Sequence, residues 1–230
     1  MSIGRNAVIT TVKTAAASID LTSLLNVRAD LNLPDADPTI DIYLSRIITQ
    51  ISGGMQSECN RTFAYQVYKD TVRPGRDTGA GIDTSPEYIP TARIPLVSVA
   101  SIIEDGTTLV VDTDYEVDVA NSRVYRLNSS GNLCKWRGNK IVIEYGSGWT
   151  LPSALVSGPN PLLQSAPELE AACIDMVKAR YIARDRDPFL KSDTVEGVGS
   201  QTFWIPDVSP GKFPDHIQDI LDDYRIPVIA

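Results

Sequence analysis

The sequence predicts an α+β fold, in which a helical bundle formed by N- and C-terminal helices carries an inserted small antiparallel β unit. Three observations lead to this prediction. Apolar residues recur at helical spacing in residues 20–63 and 165–230. Residues 64–150 instead alternate between apolar and polar side chains and are bounded by Gly, Pro, Asn and Asp. The composition, 43% hydrophobic and 22% charged, is that of a folded globular protein.

The N-terminal part is expected to contain an arm and two helices. Residues 1–19 lack helical periodicity and are rich in Thr, Ala and Ser, so they predict a flexible arm. Asp20 is expected to cap the first helix. Asp37-Pro38 marks the start of the second, because proline fits the first turn of a helix. Residues 40–59 repeat an apolar residue every three or four positions, which indicates a buried helix face.

Residues 64–150 are expected to form the inserted β domain, with four to six strands. Tyr115, Val117 and Val119 alternate with acidic residues, which is typical of a strand with one face in water. Asp105-Gly106 separates two further runs and predicts a tight hairpin with positive φ at both positions.

The C-terminal part returns to helix after a linker, residues 151–164, that is rich in Pro, Gly and Ser. Ser165-Ala166-Pro167-Glu168 has the S-x-x-E form of a helix capping box. Pro214 is expected to open the last helix. Residues 20–63 and 165–230 are together expected to form one discontinuous helical domain. One face of the last helix is acidic and carries Asp215, Asp219, Asp222 and Asp223.

The net charge of −8, from 29 acidic and 21 basic residues, gives a field that repels phosphate backbones. Tight DNA binding is therefore not expected, although an acidic wall suits a conduit through which DNA slides. Residues 1–18 contain no apolar block long enough for a signal peptide, and no apolar run approaches the roughly 20 residues that span a bilayer. We expect a protein that stays in the cytoplasm where it is made.

Few residues offer catalytic or metal-binding chemistry. His216 is the only histidine, so a Ser-His-Asp triad or a multi-histidine metal site has little to build on. We expect free thiols at Cys59, Cys134 and Cys173, with the first and last of them buried on helices.

Four carboxylates spaced two residues apart superficially suggest a calcium loop. The turn glycine that such a loop needs is replaced by Val117, and the same spacing follows from the wet face of a strand. The sequence therefore predicts no catalytic residue, no cofactor and no metal site. The four carboxylates are Asp112, Asp114, Glu116 and Asp118.

Two blocks of the chain, about half of its length, carry a family resemblance. The first block contains Asp20-Leu21-Thr22, Leu24-Leu25, Leu31-Asn32-Leu33, Asp37, Asp41, Tyr43-Leu44, Ile47-Ile48 and Asn60-Arg61. The second contains Ser165 to Tyr181, Arg184-Asp185-Arg186-Asp187-Pro188, Val195 to Ser200 and Tyr224-Arg225-Ile226-Pro227. In this order the blocks resemble the head-to-tail connector (adaptor) proteins of long-tailed double-stranded DNA bacteriophages and related phage-like particles.

The resemblance implies a structural role in the virion neck and no catalytic residues. Such proteins form a ring, commonly a dodecamer, that docks beneath the portal protein and offers a platform to a stopper or tail-terminator neck protein. DNA passes through the ring without specific binding, and no membrane is involved. The protein would be made in the cytoplasm of a bacterial host.

Site residues follow from this resemblance as expectations. The C-terminal segment 207–230 is expected to reach the portal, or its acidic helix to face the channel. The residues for these contacts are Asp215, Asp219, Asp222, Asp223, Tyr224 and Arg225. Contacts between subunits of the ring are expected from Arg184, Arg186 and Asp187.

Two other functions remain open from the sequence. The β unit could be a binding module that recognises carbohydrate or a protein surface through exposed Trp136, Trp149 or Tyr88. The chain could also be a hydrolase that works without histidine, which a large concave pocket with converging carboxylates would favour.

Overall fold

The computed structural model describes residues 7–33, 37–74, 85–154, 158–184, 192–195, 199–202 and 213–226. The chain divides into two compact units. Unit 1 consists of Met1–Ala17 and Tyr65–Trp149, and unit 2 consists of Ser18–Ala64 and Thr150–Ala230. Both units are therefore assembled from segments that are distant in the sequence.

Unit 1 consists of two antiparallel sheets. Its strands in chain order are β1 (Ala7–Thr14), β2 (Gln66–Arg73), β3 (Tyr88–Pro90), β4 (Leu96–Glu104), β5 (Thr107–Thr108), β6 (Tyr115–Asp118), β7 (Arg123–Leu127), β8 (Leu133–Cys134) and β9 (Ile141–Ser147). The first sheet has the order β1-β2-β9-β4-β5, and the second has the order β3-β7-β6, with β8 also paired to β7. The predicted tight hairpin is confirmed, because Asp105 and Gly106 join β4 to β5 with φ of 46° and 90°.

The core of unit 1 is formed by the inward faces of these strands. Trp136 and Tyr145 are fully buried in it, and the Trp136 indole donates a hydrogen bond to the carbonyl of Val124 at 3.3 Å. The carboxylate of Asp70 is also buried, and its Oδ2 accepts a hydrogen bond from the Tyr145 hydroxyl at 2.9 Å. Burial and the neighbouring Asp70 raise the pKa of Tyr145 above its ordinary value.

Unit 2 contains five helices within the described ranges and one strand pair. The helices are α1 (Leu24–Asp30), α2 (Pro38–Glu58), α3 (Leu162–Ser165), α4 (Pro167–Ile182) and α5 (Asp215–Tyr224). The antiparallel pair is β10 (Ser192–Val195) with β11 (Gly199–Thr202). Among these helices none combines the length and the apolar character that crossing a bilayer requires.

The predicted fold class, a helical bundle with a small β insertion, is wrong. The described part holds nine strands in two antiparallel sheets beside the five helices, so strands are as prominent as helices. One cause is the segment that we expected to be a flexible arm: residues 7–14 form β1 and pair with β2 from Ala7↔Arg73 to Thr14↔Val67. That pairing joins segments far apart in sequence, and helical periodicity cannot reveal it.

The starts of α2 and α5 agree with the sequence, whereas two expected helix caps do not form. Helix α2 begins at Pro38 as predicted, and Asp37 caps it by accepting from the N–H groups of Thr39 and Ile40 at 2.8 and 3.3 Å. The cap of α1 is Ser23 rather than Asp20. The capping box before α4 does not form, because the Ser165 hydroxyl donates to a side chain outside the helix and α4 has no side-chain cap.

Candidate functional site

The helix α5 is held in unit 2 by its apolar face. Ile217 and Leu221 are buried, with exposed fractions of 1% and 0%. The Cys59 thiol, just past the end of α2, donates to the Leu221 carbonyl at 3.3 Å, and the N–H of Ile226 donates to the Cys59 carbonyl at 3.0 Å. Burial raises the pKa of the Cys59 thiol to about 11. Cys59 therefore acts as a packing residue.

Tyr224 anchors the end of α5. Its ring packs edge-on against Phe63, with 6.3 Å between ring centroids, and its hydroxyl donates to the Glu168 carboxylate at the start of α4. Burial and this hydrogen bond raise the pKa of Tyr224 above its ordinary value. Tyr224, one of the six residues expected to contact the portal or face the channel, thus makes its contacts within unit 2.

Arg225 is engaged in a similar way. Its guanidinium pairs with Glu58 at the end of α2 and with Asp222 at 3.0 Å. Gln218 reinforces the contact, because its amide donates to Glu58 at 3.3 Å and to Asp222 at 2.9 Å. These bonds clamp α5 to the C-terminal end of α2.

The remaining four residues of the set form a surface that we call the acidic face. They are exposed, and their spacing of 4, 3 and 1 residues places them on the side of α5 opposite Ile217 and Leu221. The exposed His216 lies in the same first turn. The acidic face consists of Asp215, Asp219, Asp222 and Asp223.

A second surface surrounds Arg184, the described member of the predicted inter-subunit set. Its guanidinium lies 4.3 Å from the ring centroid of Tyr181. The Tyr181 ring is 6.5 Å from that of Tyr43 on α2, and Arg46 lies over the Tyr43 ring at 5.6 Å. We call these four side chains the Tyr–Arg cluster. Arg186 and Asp187 lie outside the described residues.

Sequence reasoning missed three members of this cluster, although a signal was present. Tyr43 and Arg46, like Tyr181 and Arg184, have the pattern Tyr-x-x-Arg. On a helix this spacing of three places both side chains on one face. A repeated Tyr-x-x-Arg on two predicted helices indicates two arginine–tyrosine stacks, although it does not indicate that the stacks contact each other.

Helices α2 and α4 run antiparallel and bring the two surfaces to opposite ends of one helix pair. Midway along them, the hydroxyl of Ser52 lies 3.6 Å from the thiol of Cys173. Burial raises the pKa of the Cys173 thiol to about 12. Tyr43 at the start of α2 meets the end of α4, whereas the end of α2 meets α5.

A buried carboxylate holds the segment around α1 against α4. Glu170 is 4% exposed and accepts hydrogen bonds from the Thr22 hydroxyl at 2.8 Å and the Asn26 amide at 2.7 Å. The N–H of Leu21 donates to the buried Ser52 hydroxyl at 2.9 Å. These bonds satisfy groups that would be costly to bury unpaired.

A polar groove of about 570 Å³ lies in unit 1 and contains two carboxylates. Both engage one cation: Arg126 Nε lies 2.9 Å from Glu104, and its Nη1 lies 3.7 Å from Asp114. Glu104 also accepts from the N–H of Gly138 at 2.9 Å. The two carboxylates in this groove, Glu104 and Asp114, therefore both interact with the guanidinium of Arg126.

The aromatic residues proposed for a binding module are mostly buried. Trp136 is 0% and Trp149 is 6% exposed, which leaves only Tyr88, at 36%, near the surface. The described residues hold no group of three or more His, Cys, Asp or Glu side chains that could bind a metal ion. Asp118, in the series considered for calcium, instead accepts from the N–H and the side-chain amide of Asn121, which lowers its pKa.

The sequence matches no protein-family model and no curated protein. Solved structures nevertheless share its fold. A chain in a structure described as the neck of an empty GTA particle, computed with C6 symmetry, is 13% identical, with a TM-score of 0.52 over 96% of this chain and 97% of that one. A chain in the virion of a native gene transfer agent (GTA) particle is 12% identical, with a TM-score of 0.50 over the same shares. At these identities the likeness establishes a common fold.

Proposed function

We propose that this protein is a structural head-to-tail connector (adaptor) of a tailed phage or phage-like particle. Its copies form a ring below the portal that joins the capsid to the neck and tail and lets DNA pass through a central channel. The observation that carries this proposal is the fold shared over 96% of the chain with a chain from a GTA neck structure computed with C6 symmetry. Two separate sequence blocks support the same role.

The proposed role is non-enzymatic. In the described part of the chain, the polar groove of unit 1 directs its carboxylates to Arg126, and the single histidine is solvated on α5. The features that stand out are surfaces: the acidic face and the Tyr–Arg cluster. Two such exposed surfaces suit a structural protein that binds other proteins.

The proposed partners are further copies of the chain, the portal protein, and a stopper or tail-terminator protein, with DNA crossing the channel without specific binding. Arg184, Arg186 and Asp187 are proposed to contact the neighbouring subunit. For α5 the sequence offered the portal or the channel, and four exposed carboxylates on one face are compatible with either. The net charge of −8 favours passage of DNA over retention.

Electron microscopy of particles tests this role. Deleting the gene should yield DNA-filled heads separated from tails, because the joint between them is missing. Restoring the gene should restore joined particles with a ring of density at the neck. An antibody or tag on the chain should label that ring, and normal tailed particles after deletion would refute the proposal.

A further inference from the structure

Strand β1 lies at one edge of the first sheet of unit 1. It pairs with β2 through seven residue pairs, from Ala7↔Arg73 to Thr14↔Val67. Among the strands that the structure describes, none lies on the other side of β1. The place of β1 in unit 1 therefore depends on one row of backbone hydrogen bonds.

Side-chain burial contributes little to holding β1. Between residues 8 and 14 no side chain is buried, and Val8 and Val12 are 43% and 53% exposed. These two valines stand opposite Val72 and Tyr68 of the core, so they lie on the core face of the sheet without being covered there. Little apolar burial therefore ties the strand to its own copy of the chain.

Two side-chain bonds add to the backbone pairing. The Thr11 hydroxyl donates to the carbonyl of Lys69 on β2 at 3.3 Å. The ammonium of Lys13 lies 2.5 Å from Glu144 on β9, and the lysine side chain is 54% exposed. Ion pairs at such exposure contribute little, because water screens them. Every copy of the chain carries the same partners, so a β1 strand from another copy can form both bonds equally well.

Residues 7–14 favour an extended strand wherever a sheet edge is available. Six of the eight are β-branched, and the segment contains no proline, no glycine and a single charge. Its one irregularity lies at the end of the pairing, between Val12 and Thr14. Native sheets usually protect an edge with prolines, several charges or very short strands. An edge strand of eight residues without these features is suited to pairing between chains.

The segment that follows β1 is long enough for the strand to reach another copy. The chain passes from unit 1 to unit 2 between Ala17 and Ser18. Leu21 is fully buried in unit 2, and its N–H donates to the Ser52 hydroxyl at 2.9 Å. From Thr14 to Leu21 the seven steps of chain reach at most about 23–25 Å, and every residue between them is exposed or half-buried. A copy within that distance can receive β1 while Leu21 stays in place.

We infer that, in the assembled ring, β1 of each copy pairs with β2 of the next copy in place of its own. The exchanged pairing has the same seven residue pairs, so no contact of the separate chain is lost. A ring holds neighbouring copies at high local concentration, which favours pairing between chains. Each copy then gives one strand and receives one, which is the heterologous contact that a closed ring requires. The inference rests on the proposed function and adds to it a strand link between subunits.

Disulfide cross-linking of full-length chains in particles tests the exchange. Directly opposite residues of antiparallel strands have Cα atoms about 4.5–5.5 Å apart, which a disulfide can bridge. The test variant carries Ile9→Cys with Thr71→Cys, a pair of β1 and β2. Cys134→Ser is added throughout, because the other two native thiols are buried. After oxidation and denaturation without reductant, the particles should yield dimers and longer ladders of linked chains.

A matched control shares one cysteine with the test variant. Thr71→Cys with Val142→Cys links β2 to β9, and neither of these strands leaves its own copy in the exchange. The same particles should then yield single chains with an internal disulfide. Ladders in this control at the level of the test variant would overturn the exchange, because the links would report only the crowding of copies.

Mixing two single-cysteine chains gives an independent measurement. Particles assembled from Ile9→Cys chains and Thr71→Cys chains can form this disulfide only between copies. With equal amounts in random order, about half of the chains should appear as dimers, because about one contact in four joins a donor cysteine to an acceptor cysteine. Thr11→Cys with Lys69→Cys, two positions along the same pairing, repeats the test if the first pair prevents assembly.

The outcomes separate the exchange from the proposed function. Single chains alone, from particles that carry the ring at the neck, would refute the exchange and leave the proposed function standing. Particles whose necks lack the chain would refute the proposed function and, with it, the exchange.

Discussion

Replacing Leu221 with alanine should release α5 from unit 2. The side chain is 0% exposed, so the change removes three buried carbon groups worth about 0.8 kcal/mol each, or about 2.4 kcal/mol. The cavity that remains raises the expected loss in the free energy of unfolding to about 2–5 kcal/mol. The acidic face should lose its fixed position in the same variant, because Leu221 is one of its two buried anchors.

Urea denaturation followed by far-ultraviolet circular dichroism measures this loss, since all five described helices belong to unit 2. Leu25→Ala is the matched control: it is the same substitution in the same unit at a side chain that is 75% exposed, and it should cost less than about 0.5 kcal/mol. Equal losses in the two variants would refute the claim that burial of Leu221 holds α5 in place.

Three further predictions concern buried polar and sulfur groups. Tyr145→Phe should destabilise unit 1 by about 1.5–3 kcal/mol, because the buried Asp70 carboxylate loses a hydrogen-bond donor. Tryptophan fluorescence during urea unfolding measures this loss, and an unchanged unfolding midpoint would contradict the prediction. Burial holds the pKa of the Cys173 thiol near 12 against an ordinary 9.0, so the unfolded chain releases its proton first as the pH rises. The stability that the protonated Cys173 thiol contributes is fully present below pH 9 and should be lost between about pH 9 and 12. Thermal melts should therefore show that the melting temperature falls more steeply with pH in wild type than in Cys173→Ala. A thiol-alkylating reagent should modify the half-buried Cys134 before Cys59 or Cys173 in the native protein, and equal rates by mass spectrometry would contradict the burial.

Some local signals predicted local structure, although the caps expected at Asp20 and Ser165 did not form. The start of α2 depends on a proline that fits the first helical turn, and the turn at Asp105-Gly106 depends on two residues that tolerate positive φ. The start of α5 directly after Pro214 followed from the proline in the same way. In each case the physical cause lies within a few residues of the pattern.

Features that depend on distant segments escaped prediction. Six of the eight residues 7–14 are β-branched, which is a local strand signal, but the partner strand β2 lies about sixty residues later in the chain. The Tyr–Arg cluster requires α2 and α4 to run antiparallel in one register, which no single helix pattern specifies. The hydrogen bonds of Tyr224 to Glu168 and of Arg225 to Glu58 likewise join distant segments, and no local pattern indicates them.

The order of segments in unit 2 affects how the protein is made. Ser52 and its partner Cys173 are 121 positions apart in the sequence, and Glu58 and its partner Arg225 are 167 positions apart. At a synthesis rate of about 5–20 residues per second, the apolar face of α2 leaves the ribosome roughly 6–24 s before the residues of α4 that cover it. During that interval unit 1 is completed between the two halves, while the nascent helix presents an uncovered apolar stripe to the chaperones of the cell.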